Sequence, residues 1–217
     1  MYKQLVLNLF HSKWIWYIGI ATIIINFITA TLPSDIQSII LPYSSWANVF
    51  SIVFTTASYL FIHEEMKKNN NHHFFFTLPN TKRIMFQGDY LYYAIMILFT
   101  SLIIASYLAT DKEMYYIYGF MMLIGVSLIV MSVYYLGFSK HWMRYVFNGY
   151  ILYSVPMILT YIFHFLLVRN INEMNLNLPN YETFLYQISY YTLAIGIIVF
   201  IATYFINRRN VTKYDMI

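Results

Sequence analysis

Six long stretches without a formal charge set the architecture of this chain. They cover residues 14–34, 36–62, 90–110, 114–139, 145–168 and 183–207. Each stretch has at least the roughly 20 residues that cross a hydrocarbon core about 30 Å thick. The stretches are continuously apolar, whereas membrane-spanning strands alternate lipid-facing and lumen-facing residues over about 10 positions. The sequence therefore predicts an all-α membrane protein with six transmembrane helices.

The composition supports this class. Hydrophobic residues make up 60% of the chain and charged residues 10%, whereas an ordinary soluble domain carries about 25% charged residues. The first apolar stretch is long enough to span a membrane and lacks the short apolar core and cleavage site of a signal peptide, so we expect it to remain as a span. The chain has no cysteine, which excludes disulfides and thiolate metal sites.

The positions of Lys and Arg predict the orientation. Basic residues near the ends of spans are rarely carried across the membrane, so they accumulate on the cytoplasmic side. With the N-terminus inside, the basic residues that fall outside are Lys112 and Arg169. We therefore predict that both termini are cytoplasmic. The net charge of +4 then reflects contact with anionic lipids rather than with nucleic acid.

We interpret residues 1–217 as a single transmembrane domain. The same pattern of charges divides this domain into spans and links. The predicted spans cover about residues 14–32, 45–63, 90–109, 115–137, 147–168 and 184–206. Pro42 is predicted to bound the external link between the first two spans. Pro156 falls inside the fifth span, where neighbouring helices tolerate a kink. Residues 64–89 form the longest polar interruption and are predicted to lie in the cytosol.

Residues 1–13 predict a short amphipathic helix that lies in the membrane interface. Its apolar side holds Tyr2, Leu5, Val6, Leu9 and Phe10. Its polar side holds Lys3, Gln4, Asn8, His11 and Ser12. The alternative is a cytosolic extension of the first span.

Tyrosines concentrate near the predicted ends of the spans. They are Tyr90, Tyr92, Tyr93, Tyr115, Tyr116, Tyr118, Tyr134, Tyr135, Tyr186, Tyr190 and Tyr191. Because an amphipathic ring suits the level of the lipid headgroups, we predict that these residues form interfacial belts.

Polar side chains inside the predicted spans are uncharged. Proton-driven transporters usually carry ionisable groups there for proton relays, and the middle of each span lacks Asp, Glu, Lys and Arg. Neutral groups such as Asn48 are predicted to join helices by hydrogen bonds. An alternative for some of them is that they line a substrate path, and the candidates for that role are Asn26, Thr55, Thr56, His164 and Gln187.

Motifs for enzyme chemistry are incomplete. The run His63-Glu64-Glu65-Met66-Lys67 resembles the H-E-x-x-H pattern of zinc proteases, but Lys67 stands where the second histidine is needed. His72 and His73 lie together without a nearby acidic or cysteine partner, so we predict no metal site. No glycine precedes a lysine, so the chain has no P-loop and is expected to bind no nucleotide or other cofactor itself.

The cytoplasmic segment carries a family resemblance. Residues 77–84, TLPNTKRI, followed by Gly88-Asp89-Tyr90-Leu91, resemble the segment between spans two and three in permeases of the ABC-2 type. The family pattern has leucine, proline, a hydroxyl residue, basic residues and aliphatics, then glycine, a basic residue, tyrosine and leucine. This chain departs from the pattern at Asp89, where the family has a basic residue. The layout is most similar to small permeases of low-GC Gram-positive bacteria, particularly staphylococcal exporters of phenol-soluble modulins.

The resemblance implies that this segment is a coupling helix that seats in a cleft of a separate ATPase subunit. The implied coupling residues are Thr77, Leu78, Pro79, Asn80, Thr81, Lys82, Arg83 and Ile84. Thr77 suits a helix cap, Pro79 suits a first turn, and the two cations suit an acidic partner surface.

The resemblance also implies the assembly and its cargo. Two copies of the ATPase, which bind ATP and Mg, would drive a homodimer, or a heterodimer with a related permease, in the cell membrane. The implied substrate is an amphipathic peptide, with antimicrobial-peptide resistance, lantibiotic immunity and lipid or glycan export as alternatives. Outside this family, the alternatives are an integral membrane enzyme and a proton-coupled carrier of a small hydrophobic substrate.

Overall fold

A computed structural model describes residues 2–68, 81–110, 114–139, 146–174 and 181–214. Within these ranges every regular element is a helix. The helices are α1 (Tyr2–His11), α2 (Lys13–Thr31), α3 (Ser34–Thr56), α4 (Ser58–Lys68), α5 (Thr81–Tyr107), α6 (Met114–Ser139), α7 (Val146–Met174) and α8 (Tyr181–Tyr214). The all-α prediction is confirmed for this part of the chain.

In the part of the chain that the structure describes, five segments are long and apolar enough to cross a membrane. They are Lys13–Thr31, Ser34–Thr56, Phe86–Tyr107, Ile117–Leu136 and Thr183–Arg209. The predicted fifth span lies on α7, where Gly149–His164 forms a shorter apolar segment. The chain is therefore a membrane protein by the length and composition of its helices, and a sixth span stays a prediction.

Three boundaries differ from the sequence prediction. The predicted second span, 45–63, is interrupted at Ala57, where α3 ends and α4 begins. The predicted external link up to Pro42 is wrong, because α3 begins at Ser34 and contains Pro42 in its interior. A proline removes one backbone hydrogen bond, and a long helix among other helices tolerates that loss. The helix of the third span begins at Thr81 rather than near residue 90, so polar composition did not mark a break in the helix there.

The chain forms two compact units. The first unit contains Met1–Glu113 and Arg208–Ile217, and the second contains Met114–Asn207. In the first unit α2, α3 and α5 pack against one another, and α1 packs on α5. An apolar cluster at the centre of this unit consists of Ile15, Ile62, Tyr92, Met96, Phe99 and Ile103.

The second unit contains a close approach of two helices at glycines. A Cβ atom on Gly125 of α6 would lie 2.5 Å from the carbonyl oxygen of Thr192 on α8. A Cβ atom on Gly196 of α8 would lie 2.5 Å from the carbonyl oxygen of Gly125. Small residues of this kind let helix backbones touch in membranes, where dispersion contacts replace the hydrophobic effect as the main attraction.

We expect Gly125→Ala to lower the free energy of unfolding by about 1–3 kcal/mol, because the added methyl group meets main-chain atoms that cannot move aside. Gly19→Ala is the matched control. Its methyl group would meet the Phe99 ring, and a side chain can shift by a change in χ1, whereas the main chain of α8 cannot move without the helix. Unfolding of each variant in mixed detergent micelles measures the difference, and an equal or larger cost at Gly19 would contradict this account of the glycine contact.

The tyrosines that were predicted to form interfacial belts differ in their exposure. Tyr186, Tyr190 and Tyr191 are exposed on α8. The belt prediction is wrong for a second group of tyrosines, which pack inside their own units: Tyr90, Tyr92, Tyr93, Tyr118, Tyr134 and Tyr135. A hydroxyl group can be satisfied by a protein partner as well as by a headgroup, and the Tyr93 hydroxyl donates to the Thr56 carbonyl oxygen at 3.1 Å.

Candidate functional site

Helix α1 turns its polar side toward the protein. Gln4, Asn8 and Ser12 follow one another by a helical turn and are buried. On the opposite side Tyr2, Val6 and Phe10 are exposed. The division predicted for residues 1–13 is confirmed only in part, because Leu5 and Leu9, which were predicted on the apolar side, pack against the apolar cluster of the first unit. The exposed residues Tyr2, Val6 and Phe10 form the side that a lipid surface would cover.

A buried acidic residue lies where α1, α4 and α5 meet. Asn8 Nδ2 donates to Asp89 Oδ1 at 2.6 Å. His63 Nε2 lies 3.5 Å from Asp89 Oδ2. Gln4 Nε2 donates to Asn8 Oδ1 at 3.0 Å. The side chains of His63 and Asp89 are 1% and 2% exposed, so these four residues, which we call the Asp89 site, are closed to solvent.

Further polar atoms surround the Asp89 site. The Tyr92 hydroxyl lies beside Ser12, which lies between α1 and α2, and beside Ser58 of α4, and it is within electrostatic range of Asp89. Among the residues that the structure describes, Asp89 Oδ2, Ser58 Oγ and the Tyr92 hydroxyl are buried without an aligned hydrogen-bond partner. Buried polar groups in this condition are rare in native proteins and often mark functional positions.

Electrostatics constrains the charge of the site. A carboxylate in a medium of low dielectric constant needs an opposite charge or a proton. His63 is the basic side chain that the structure shows within 4 Å of Asp89, and Asn8 contributes a hydrogen bond without a charge.

A second group of buried polar residues joins α2, α3 and α5. Asn26 Nδ2 donates to Asn48 Oδ1 at 3.0 Å, and Asn48 Nδ2 donates to Asn26 Oδ1 at 2.8 Å. Asn26 Nδ2 also donates to Ser106 Oγ at 2.8 Å. We call Asn26 and Asn48 the amide pair. Its bonds satisfy both side chains inside the bundle.

Hydroxyl pairs continue this arrangement toward α4. Thr22 and Ser51 share a hydrogen bond of 2.6 Å between α2 and α3. Thr100 Oγ1 donates to Thr55 Oγ1 at 2.8 Å between α5 and α3. The polar seam, defined as the amide pair with Thr22, Ser51, Thr55, Thr100 and Ser106, therefore fastens the three long helices of the first unit to one another.

The predicted path residues fall into two groups. Asn26 and Thr55 lie in the polar seam, and Thr56 is buried one residue beyond. The predicted hydrogen bonds between helices are confirmed for Asn26 and Thr55. In the second unit, His164 packs over Gly119, and Gln187 is exposed. Their role in a substrate path stays a prediction.

Four of the eight predicted coupling residues lie at the beginning of α5. Thr77, Leu78, Pro79 and Asn80 lie outside the described residues. Thr81, Lys82, Arg83 and Ile84 form the first turn of α5, and the Ile84 side chain is exposed. The same helix continues without a break to Asp89. A single helix therefore connects this first turn with Asp89, about two turns away.

Comparisons with known proteins give no match: the chain matches no protein-family model, no curated protein and no solved structure. In the described ranges, no group of three or more His, Asp and Glu side chains could hold a metal ion.

Sequence reasoning missed the Asp89 site, because Asp89 was assigned to the cytoplasmic segment and Asn8 to the polar side of an interfacial helix. Two signals point to it. Asp89 is the position at which this chain departs from the permease pattern. Gln4, Asn8 and Ser12 form a narrow polar stripe of neutral residues, which suits a buried polar contact better than a solvated helix face.

Proposed function

We propose that this chain is the transmembrane subunit of an ABC-2 type exporter, driven by a separate ATPase. The observation that carries the proposal is the continuity of α5, which runs from the coupling residues Thr81–Ile84 through Asp89 into the polar seam. A transporter without its own motor needs such a rigid element between the motor's contact site and the helices that move.

The topology proposed with this function has six spans and both termini in the cytosol. The sixth span is α7, a helix of 29 residues, which is long enough to cross a hydrocarbon core. Helix α1 lies in the cytoplasmic interface with its exposed apolar side in the lipid. The coupling residues then face the cytosol, where Lys82 and Arg83 meet an acidic surface of the ATPase.

The mechanism proposed is alternating access. Closure of two partner ATPases, which bind ATP and Mg, moves the coupling segments of two permease copies. Because the polar seam fastens α2 and α3 to α5, the first unit follows α5 as one body. The second copy is either identical, which gives a homodimer, or a related permease, which gives a heterodimer.

The cargo proposed is an amphipathic peptide. The family resemblance supports this class, and spans without charged side chains at their middle suit a partly apolar cargo. The exposed tyrosines of α8, Tyr186, Tyr190 and Tyr191, offer rings with a polar tip, which suit the mixed surface of such a peptide.

Co-purification tests the proposal at its first step. Tagged protein from its native membrane, after mild crosslinking, should bring down an ATPase subunit. A preparation in which mass spectrometry finds no nucleotide-binding subunit, while the tagged chain is abundant, would overturn the assignment to an ATP-driven exporter.

We expect Lys82→Glu combined with Arg83→Glu to lower substrate-stimulated ATP hydrolysis by at least about tenfold, because loss of charge complementarity at a contact of this kind costs several kcal/mol. Membrane insertion should be unchanged. The matched control is Arg208→Glu with Arg209→Glu, which reverses an adjacent basic pair on exposed positions of α8. Equal ATP hydrolysis by the first double variant and the unchanged protein would count against the coupling role.

The second candidate function is a proton-coupled carrier. The buried His63–Asp89 pair favours it, because ionisable groups closed off inside membrane proteins commonly form proton relays. Collapse of the proton gradient should stop transport by such a carrier, whereas an ATP-driven exporter should continue while ATP lasts.

A further inference from the structure

We propose that the Thr56 carbonyl oxygen is a switch point at which α3 and α4 change between a form that is broken at Ala57 and one continuous helix. In the broken form this oxygen accepts from the Tyr93 hydroxyl, and in the continuous form it accepts from the Leu60 amide. The exchange concerns the movement of α4 relative to α3, and it is independent of what drives transport.

The first step is the break itself. Residues 54–60, FTTASYL, contain neither proline nor glycine, which are the residues that most often kink a helix. In a continuous helix the Leu60 amide donates to the carbonyl oxygen four residues back, that of Thr56. In the structure it donates to the Ala57 carbonyl oxygen at 2.9 Å, three residues back. The backbone ladder is therefore interrupted at Thr56.

The second step is the donor that takes the place of the amide. The Tyr93 hydroxyl of α5 donates to the Thr56 carbonyl oxygen at 3.1 Å. Insertion of a side chain into the backbone ladder is an established cause of helix kinks. Thr56 Oγ1 also donates to the Ile52 carbonyl oxygen at 2.6 Å, and back-bonding of this kind bends helices. The interactions of Thr56 thus explain a break that the local sequence does not.

The third step is the link between the Tyr93 hydroxyl and α4. The Tyr93 side chain is buried, and its ring packs edge-on against the Tyr59 ring of α4 with 5.4 Å between the centroids. Further along α5, Thr100 Oγ1 donates to Thr55 Oγ1 at 2.8 Å and holds the last turn of α3. A displacement of α4 therefore reaches the ring that carries the hydroxyl, while α3 stays attached to α5.

The two forms are close in free energy, because they exchange one hydrogen bond to Thr56 for another and each contributes little net stability. A ligand or partner that favours one form by a small amount can then shift the balance. In the continuous form Ser34–Lys68 is a single helix, so the end of α4 takes a new position. The chain that follows α4 includes the predicted coupling residues 77–80, so the switch offers a way to move them.

The backbone conformation of Ala57 tests the proposal. Ala57 has φ −87° and ψ 0°, in the bridge region, whereas Ala47 lies inside α3. The full-length protein with isotope-labelled alanine is studied by solid-state NMR in lipid bilayers, where the α-carbon and β-carbon shifts report φ and ψ. Tyr93→Phe removes the hydroxyl and keeps the ring. We expect the Ala57 shifts to move toward those of Ala47, because loss of one hydrogen bond raises the ratio of continuous to broken helix about fivefold. Unmoved Ala57 shifts would overturn the proposal.

Tyr107→Phe is the matched control. It removes another tyrosine hydroxyl of α5, one that shares a hydrogen bond of 2.7 Å with Ser45 Oγ of α3. That bond joins two side chains and leaves the backbone ladder intact, so the Ala57 shifts should stay unchanged. A movement as large as in Tyr93→Phe would mean that any loosening of α3 from α5 changes the break, and would overturn the role of the Thr56 carbonyl oxygen.

Relaxation dispersion of the Ala57 methyl group tests the exchange in the unchanged protein. We expect a contribution from exchange on the microsecond to millisecond timescale, in which helix rearrangements occur. Ala47 should give a flat profile, because α3 is helical at that residue in both forms. A flat profile at Ala57 as well would overturn the switch and leave the Tyr93 bond as a fixed contact.

Discussion

Replacement of Asp89 by alanine should lower the free energy of unfolding of the first unit by about 3 kcal/mol, the low end of the cost of breaking a buried ion pair. The substitution leaves Asn8 Nδ2 and His63 Nε2 without the acceptor that each faces. The low end applies because Asn8, which hydrogen-bonds Asp89 at 2.6 Å, is uncharged. Detergent-induced unfolding followed by tryptophan fluorescence measures the change, since Trp14, Trp16 and Trp46 all lie in this unit.

The control for this prediction replaces both partners. Asp89→Leu with His63→Leu removes the ionisable groups together, and apolar replacements of a buried pair are often tolerated. The double variant should therefore be more stable than Asp89→Ala. If it were the less stable of the two, the pair would contribute stability through packing rather than through charge compensation.

The second large effect concerns the amide pair. Asn48→Ala should lower the free energy of unfolding by about 2–3 kcal/mol, because it leaves the buried Asn26 amide without a reciprocal partner. Asn48 also donates to the Ser44 carbonyl oxygen at 2.7 Å, which adds to the loss. The same unfolding assay measures it.

A double-mutant cycle separates the pair from its surroundings. Asn26→Leu combined with Asn48→Leu should cost less than the sum of the two single changes, since each single change strands the other amide. Ser38 supplies a matched control: its hydroxyl group is exposed and bonds only locally, to the Asp35 carbonyl oxygen at 2.8 Å, so Ser38→Ala should change stability by less than about 0.5 kcal/mol. Additive costs at Asn26 and Asn48 would contradict the reciprocal bonding.

Long charge-free runs predicted the helices well where a span is apolar from end to end. Helix α6 covers Met114–Ser139, close to the predicted 115–137. A segment that crosses the hydrocarbon core must satisfy its own backbone hydrogen bonds, and a helix of about this length does so. The start of α5 was placed too late. The segment around Gly88 and Asp89 is polar, which predicted contact with water. Polar side chains can instead be buried when other residues of the protein supply their hydrogen bonds.

The pairing within the Asp89 site could not be found from local pattern. Its hydrogen bond to Asn8 joins residues 81 positions apart, so the departure at Asp89 and the polar stripe of α1 each indicate a buried contact without identifying its partner. The polar side of α1 was recognised, but periodicity separates two sides of a helix without telling which side faces the protein. In a membrane the apolar side can face outward, which reverses the rule for soluble proteins.

The roles of the residues in the polar seam also could not be decided from the sequence. Asn26 and Thr55 were considered both as helix-joining groups and as path residues, and the sequence supports both roles equally. Their partners, Asn48, Ser106 and Thr100, lie on other helices. The choice between a hydrogen bond to protein and one to cargo depends on these distant partners, which a single sequence does not place.

The energy source of transport tests the central claim most directly. The chain and its co-purified ATPase are reconstituted together in proteoliposomes, and movement of a labelled amphipathic peptide is followed with ATP, without ATP, and with a protonophore. The account predicts transport that requires ATP and continues when the protonophore abolishes the proton gradient. Transport that proceeds without ATP and stops with the gradient would contradict it, and would assign the His63–Asp89 pair to the driving reaction instead.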